Sequence, residues 1–372
     1  MSQASDLIVR AIDREAEKAA FLKRVGVGAW TREPLAGDAS TRAYERLHGP
    51  EGATLIFMDQ PPALETAPCP PGADEATRIA LGFNAAYRLA AGRVDAFVAC
   101  AGWLRAQGLS APEVLAADPD AGLAVIEDLG DGLFAPLIAA GAEERPLYAA
   151  AVEALVRLHK AEPPDVLEAD GRVWPLLDYD GLALKCASDL FVEWLPKLHP
   201  ELSFGPETIA AWDEVWAPIR AHAAANASVF CHRDYHAENL VWLPDREGPA
   251  RVGLLDFQDA VRAHPAWDLS MLLHDARRRV SPDLELFCLQ AYFKARPDID
   301  AGQFLSDYLC LGALNLCRII GIFCRLTVRD GKPRYAALLP RLWGYLNRTL
   351  ADRRLQPLDA WLEAHVPREL RR

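Results

Sequence analysis

The stretch that most limits what this chain can build is Val229-Phe230-Cys231-His232-Arg233-Asp234-Tyr235-His236-Ala237-Glu238-Asn239-Leu240-Val241-Trp242-Leu243. Apolar runs flank a polar centre, which reads as strand, loop, strand. The loop sets Asp234 and Asn239 five residues apart. Phosphoryl transfer asks a protein for a carboxylate near the attacking hydroxyl and a side-chain oxygen on Mg²⁺, and one such loop offers both. Asp256 stands seventeen residues after Asn239, at the end of the apolar run Leu254-Leu255-Asp256-Phe257. The intervening Asp245-Arg246-Glu247-Gly248 is a turn signal, so a hairpin returns Asp256 to the loop as a second acidic ligand. Taken alone, Asp256 would read as a turn former at a strand end.

The rest of the chain must supply a cleft around that loop. Leu7, Ile8, Ala11, Ile12, Ala16, Ala19 and Leu22 follow a helical period that Gly26 stops. Short strands are expected at Trp30–Leu35, Arg42–Leu47 and Ala53–Met58, as an antiparallel meander. Residues 60–72 hold five prolines and form a loop. A helix over Asp95–Gln107 and a hairpin of Val114–Ala117 with Leu123–Ile126 follow. From Leu147 the pattern is mainly helical, with helices at Leu147–His159, Leu184–Leu198 and Thr208–Ala225. The expected fold is α+β and bilobal. A small β-rich nucleotide-binding lobe takes residues 1–128, and a larger, mostly helical catalytic and substrate-binding lobe takes residues 129–372.

Charge and cysteine usage narrow the class. The formal net charge is −12, which leaves no basic surplus for a nucleic-acid backbone. The longest stretch free of Asp, Glu, Lys and Arg is twelve residues, Ala221–His232, so no membrane-spanning helix is expected. Asp6, Arg10, Asp13, Arg14 and Glu15 break any secretory pattern near the N-terminus. The eight cysteines contain no C-x-x-C, and Cys310, Cys317 and Cys324 recur every seven residues on one helical stripe. They read as small core residues of a reduced, cytoplasmic protein. No obligate protein partner is evident in the sequence. No G-x-S-x-G or H-E-x-x-H occurs, which disfavours a hydrolase.

The catalytic-loop pattern, the Asp256 strand, the helix ending in Leu158-His159 and Pro265-Ala266-Trp267-Asp268-Leu269 together resemble the aminoglycoside phosphotransferase and choline kinase superfamily, whose fold is protein kinase-like. The resemblance implies ATP and Mg²⁺ as cofactors, Asp234 as proton acceptor, Asn239 and Asp256 as metal ligands and Asp268 as a structural residue. His232 reads equally as a catalytic-loop brace and as a core histidine. A narrower resemblance rests on Gly37-Asp38-Ala39-Ser40-Thr41-Arg42-Ala43-Tyr44, Ile56–Pro62, Ile126–Asp131, Arg233–His236, Gly321–Leu326 and Arg329–Pro333. These are similar to bacterial anomeric kinases of N-acetylmuramic acid and N-acetylglucosamine, which implies phosphorylation at the C1 hydroxyl in peptidoglycan recycling.

One departure from the kinase pattern is plain. The third strand, Ala53–Asp59, carries no lysine to pair with the nucleotide phosphates. Period-two geometry puts Arg42, Tyr44 and Arg46 on one strand face, and Arg42 follows the small-residue loop Gly37–Thr41. Gly37, Ser40, Thr41 and Arg42 are therefore expected at the phosphates, with Arg42 reading equally as a solvated edge charge. Glu127 and Leu129 are expected at the hinge, where backbone groups would read adenine. Glu238, Arg262, His264, His274, Asp275 and Arg325 are the acceptor-binding candidates, two of the six being expected to touch a small-molecule sugar. Two other readings remain open: a phosphotransferase for an aminoglycoside or other small alcohol, and a non-catalytic, ATP-binding pseudokinase.

Overall fold

A computed structural model describes residues 3–35, 42–60, 69–89 and 93–371. The sheet strands are β1 (Thr31–Pro34), β2 (Ala43–His48), β3 (Thr54–Asp59), β4 (Val114–Asp118) and β5 (Leu123–Glu127). They form one antiparallel sheet in the order β1-β2-β3-β5-β4. Alternation along the strands decides its two faces. Leu47, Phe57, Leu123 and Val125 pack with Phe21 and Leu22 of the N-terminal helix Gln3–Arg24. Ile56, Met58, Ala124 and Ile126 turn the other way, into the main core, with Tyr44 packed against it. Arg14 and Lys18 fasten the helix to the end of β3 through Asp59, at 2.6 and 2.7 Å.

The expected meander, the hairpin after it and the helical remainder are all present, with bounds shifted by a residue or a few. The helix expected at Asp95–Gln107 spans Val94–Ala106, and those expected at Leu147, Leu184 and Thr208 begin at Glu144, Gly181 and Pro206. Before Val94 lie elements that periodicity does not announce: the helix Glu75–Leu81 and a wide turn, Asn84–Arg88. Arg78 stitches them together. It donates to the carbonyls of Ala85 and Ala86, at 3.1 Å each, and pairs with Asp180.

Two ribbons carry the polar loop. Val229–Cys231 pairs with Val261–Ala263, and Leu240–Trp242 pairs with Val252–Leu254. Beneath them the helix Ala301–Val328 crosses Gly181–Leu198. A Cβ on Gly321 would lie 2.3 Å from the backbone carbonyl of Leu190, so glycine alone permits that approach. By length and composition Ala301–Val328 can cross a membrane, contrary to the expectation from charge spacing, but 78% of its most apolar window is buried inside the protein. All eight cysteines are free thiols, and Cys310, Cys317 and Cys324 are buried along this helix. One continuous core runs from the inner sheet face through the helices, so residues on both sides of position 128 share it.

Candidate active site

The loop after Cys231 is shaped by one buried carboxylate. Asp268, on the helix Ala266–Leu273, accepts from the Cys231 thiol and from the backbone N–H groups of His232 (2.6 Å) and Arg233 (2.9 Å). Burial pushes the Asp268 carboxyl up from its ordinary range, and these donors with His232 oppose that. Arg233 is held at φ 74°, a left-handed conformation uncommon for arginine. Its buried guanidinium repays this by donating to the carbonyls of Arg88 (2.8 Å) and Tyr87 (3.0 Å) and by lying over the rings of Tyr87 and Tyr179. The segment Tyr87–Arg88 is thereby tied to the loop.

Asp234 follows, half-buried, on the wall of a cavity of about 440 Å³. The Asn239 amide donates to the Asp234 carbonyl at 2.9 Å, which closes the loop and leaves the amide oxygen as the group to face a cation. Leu255 N–H donates to the Asn239 carbonyl at 2.9 Å, bringing the next residue, Asp256, alongside. Asp256 sits at φ 62° and accepts from the Gln258 amide at 2.9 Å and from Arg42. Burial pushes its carboxyl up, but Arg42 and Gln258 outweigh that and hold it down at about 2. An ionised carboxylate and an amide oxygen side by side are the hard donors Mg²⁺ prefers, so the residues present fit that ion.

Arg42 therefore lies in the cleft rather than at a solvated edge. Its side chain is 8% exposed, and it donates to Tyr44 at 3.2 Å and to Gln258 at 2.6 Å. Met58 pairs with Tyr44 across the sheet on the same inward face, at the place where a third-strand lysine would point. Arg46, farther along that face, reaches Asp128 (2.7 Å) and Asp131 (2.6 Å) and ties β2 to the segment after β5. Gly37, Ser40 and Thr41 lie outside the described residues.

The other expected site residues divide. His232 is fully buried and does not line the cavity. Its ring packs beside Tyr235 and Phe257, and its Nδ1 lies 3.4 Å from the Asp234 N–H. Its place is under the loop, because the flanking apolar strand carries it into the core. The Glu127 side chain is engaged by the Glu113 N–H, Arg105 and Arg246. Leu129 packs over Gly253. Among the acceptor candidates, Arg325 lines the cavity. Glu238 pairs with Arg277, a cavity residue, at 2.6 Å, and Asp275 is buried behind it, accepting from the Arg277 N–H at 2.8 Å.

Three candidates stand away from the cavity walls. Arg262 is drawn to Asp165 and Asp178, at 2.7 and 3.1 Å. His274 is buried against Glu285 and Tyr308. His264 meets Asp307 at 3.3 Å, with His222 also on that carboxylate. The group His222, His264 and Asp307 has the composition of a metal site. However, His264 Nδ1 accepts the Ala266 N–H at 3.1 Å, which puts the proton of the neutral ring on Nε2, the atom that would have to bind metal. Arg354 and Gln303 also occupy Asp307.

Sequence reasoning missed most of the cavity's cations. Among the described residues six arginines line it, Arg88, Arg233, Arg277, Arg318, Arg325 and Arg329, against two carboxylates, Asp234 and Asp259. The available signal was helical spacing: Arg318, Arg325 and Arg329 recur at seven and four residues along one helix face.

Comparisons with known proteins agree with this geometry. Residues 31–305 match the model of a phosphotransferase enzyme family. An N-acetylmuramate/N-acetylglucosamine kinase of Caulobacter vibrioides is 65% identical over 360 residues, 97% of this chain and 99% of the relative. A kinase of the same description from Pseudomonas aeruginosa is 29% identical, over 86% of this chain and 84% of its own. Among solved structures, a choline/ethanolamine kinase family protein from Mesorhizobium loti superposes with a TM-score of 0.54 at 18% identity, covering 96% of this chain and 99% of that one. That likeness shows a shared fold.

Proposed function

Because the chain belongs to the phosphotransferase enzyme family, we propose that it is an ATP- and Mg²⁺-dependent kinase that phosphorylates the anomeric C1 hydroxyl of N-acetylmuramate and N-acetylglucosamine. The observation that carries the reading is the placement of Asp234 on a cavity wall beside Asn239 and Asp256, in a chain 65% identical to a kinase of those two sugars. Asp234 orients the acceptor hydroxyl and takes its proton as the phosphoryl group transfers. An anomeric hydroxyl is more acidic than an ordinary alcohol, which eases its deprotonation as the phosphoryl group transfers. Asn239 and Asp256 would hold Mg²⁺, which would screen the charge of the phosphates.

Arg42 supplies the cation that kinases of this shape carry on the third strand, so the absence of a lysine there does not make the chain a pseudokinase. Backbone groups around Glu127–Leu129 meet adenine. Six arginines against two carboxylates also disfavour an aminoglycoside, which is a polycation. The sugar 1-phosphate so formed belongs to cytoplasmic recycling of cell-wall sugar.

Release of ADP from ATP and Mg²⁺ should require either amino sugar and should not respond to kanamycin or choline. Asp234→Asn should lower kcat by about 10²–10⁴ while nucleotide affinity stays near that of the parent. Turnover with kanamycin and neither sugar, or an Asp234→Asn variant with parental kcat, would sink the proposal.

A further inference from the structure

The two sugars differ in charge. N-acetylmuramate carries a lactyl carboxylate on O3, and N-acetylglucosamine has a free hydroxyl there. A cavity that accepts both needs a cation available to the first whose loss the second tolerates. Five of the six cavity arginines already have work. Arg88 pairs with Asp259 at 2.6 Å, and Arg277 pairs with Glu238. Arg233 holds backbone carbonyls, Arg318 donates to Asn315 (2.8 Å) and Tyr87 (2.9 Å), and Arg329 pairs with Asp330.

Arg325 is different. Its Nε is buried with no hydrogen-bond partner among the described residues, and its guanidinium lies 5.5 Å over the Phe83 ring. Burial, with Arg329 beside it, pushes its pKa below the ordinary guanidinium value, which is the signature of a cation short of an anion. Its position also separates it from the nucleotide end. Arg88 and Asp259 interact electrostatically with Arg42, which contacts Asp256. The strongest electrostatic influences on Arg325 come from Arg329, Tyr87, Asp330 and Glu193, and neither Arg42 nor Asp256 is among them. Ile322, Phe323 and Leu326 of the same helix, with Tyr335, make an apolar wall around it.

We propose that Arg325 is the residue that recognises the carboxylate of the acceptor sugar and so sets the preference for N-acetylmuramate over N-acetylglucosamine. This rests on the amino-sugar kinase reading above. A guanidinium presents a planar fork that matches a carboxylate in two hydrogen bonds. In a half-buried, ring-lined place such a pair is screened less than on the surface.

The test compares kcat/KM for the two sugars on the same enzyme preparation, so a partly misfolded variant cancels in the ratio. In Arg325→Met the ratio of N-acetylmuramate to N-acetylglucosamine should fall about ten- to a hundredfold, mainly through KM for the acid. Arg325→Lys should recover part of it. On the parent enzyme, the uncharged methyl ester of N-acetylmuramate should show the same loss that the acid shows on Arg325→Met. An unchanged ratio in Arg325→Met overturns the assignment. So does a rise in KM for ATP with the ratio intact, which would give Arg325 to the phosphates. Failure of the parent enzyme to turn over either sugar would instead overturn the amino-sugar reading and this inference with it.

Discussion

In the proposed reaction Arg42 is the side chain that stands in for the missing third-strand lysine. It is buried in the cleft against Asp256 and Gln258, while the third strand presents Met58 to the same space. Arg42→Ala should weaken ATP use, as kcat/KM measured with varied ATP at saturating sugar, by about ten- to a hundredfold. Arg42→Lys should recover only part, because a lysine cannot reproduce the guanidinium fork. Parental kinetics in Arg42→Ala would mean that another cation, or Mg²⁺ alone, neutralises the phosphates. That these residues come together was legible because their placement is local. Asp234 and Asn239 share a loop, a hairpin returns Asp256, and strand alternation turns Arg42 inward. Arg262, His264 and His274 lie off the cavity walls for the opposite reason. Each is drawn off by partners remote in sequence: Asp165 and Asp178, Asp307, and Glu285 with Tyr308.

At the scale of elements, period two and period 3.6 located the sheet and the helices, since each buries one face. What periodicity could not supply was the segment between β3 and Val94. Arg78 holds it through carbonyls and Asp180, contacts that leave no repeat in the sequence. Nor could it show how closely two helices cross. Gly321 permits the approach of Ala301–Val328 to Leu190, whereas a Cβ on Gly344, in the helix Leu339–Thr349, would meet nothing within 4 Å. Gly321→Val should therefore cost about 1–3 kcal/mol or more in denaturant unfolding, by forcing the helices apart. Gly344→Ala should be neutral or stabilise by up to ~1 kcal/mol, through helix propensity alone. Equal effects of the two substitutions would show that the crossing has room to spare. The same helix carries Arg318 and Arg325, with Arg329 at its C-cap, into the cavity, so loosening it should also reduce turnover.

Across the whole molecule, charge is sorted. The chain carries a net charge of −12, yet the cavity beside Asp234 is lined by six arginines and two carboxylates. A basic cleft in an acidic chain suits the anionic ligands of the proposed reaction. The sheet and the helical part share one core, and Arg46 bridges β2 to Asp128 and Asp131. The wall that holds Arg42 is thereby fixed relative to the loop that holds Asp234. The identity of the phosphorylated atom separates an anomeric kinase from every other sugar kinase. Phosphorus-31 NMR of the product formed from ATP, Mg²⁺ and N-acetylmuramate measures it directly. The predicted result is a new sugar phosphate whose phosphorus couples to the anomeric proton, formed only when enzyme and sugar are both present. A phosphorus coupled to the C6 methylene protons, or no sugar-dependent product at all, would contradict it.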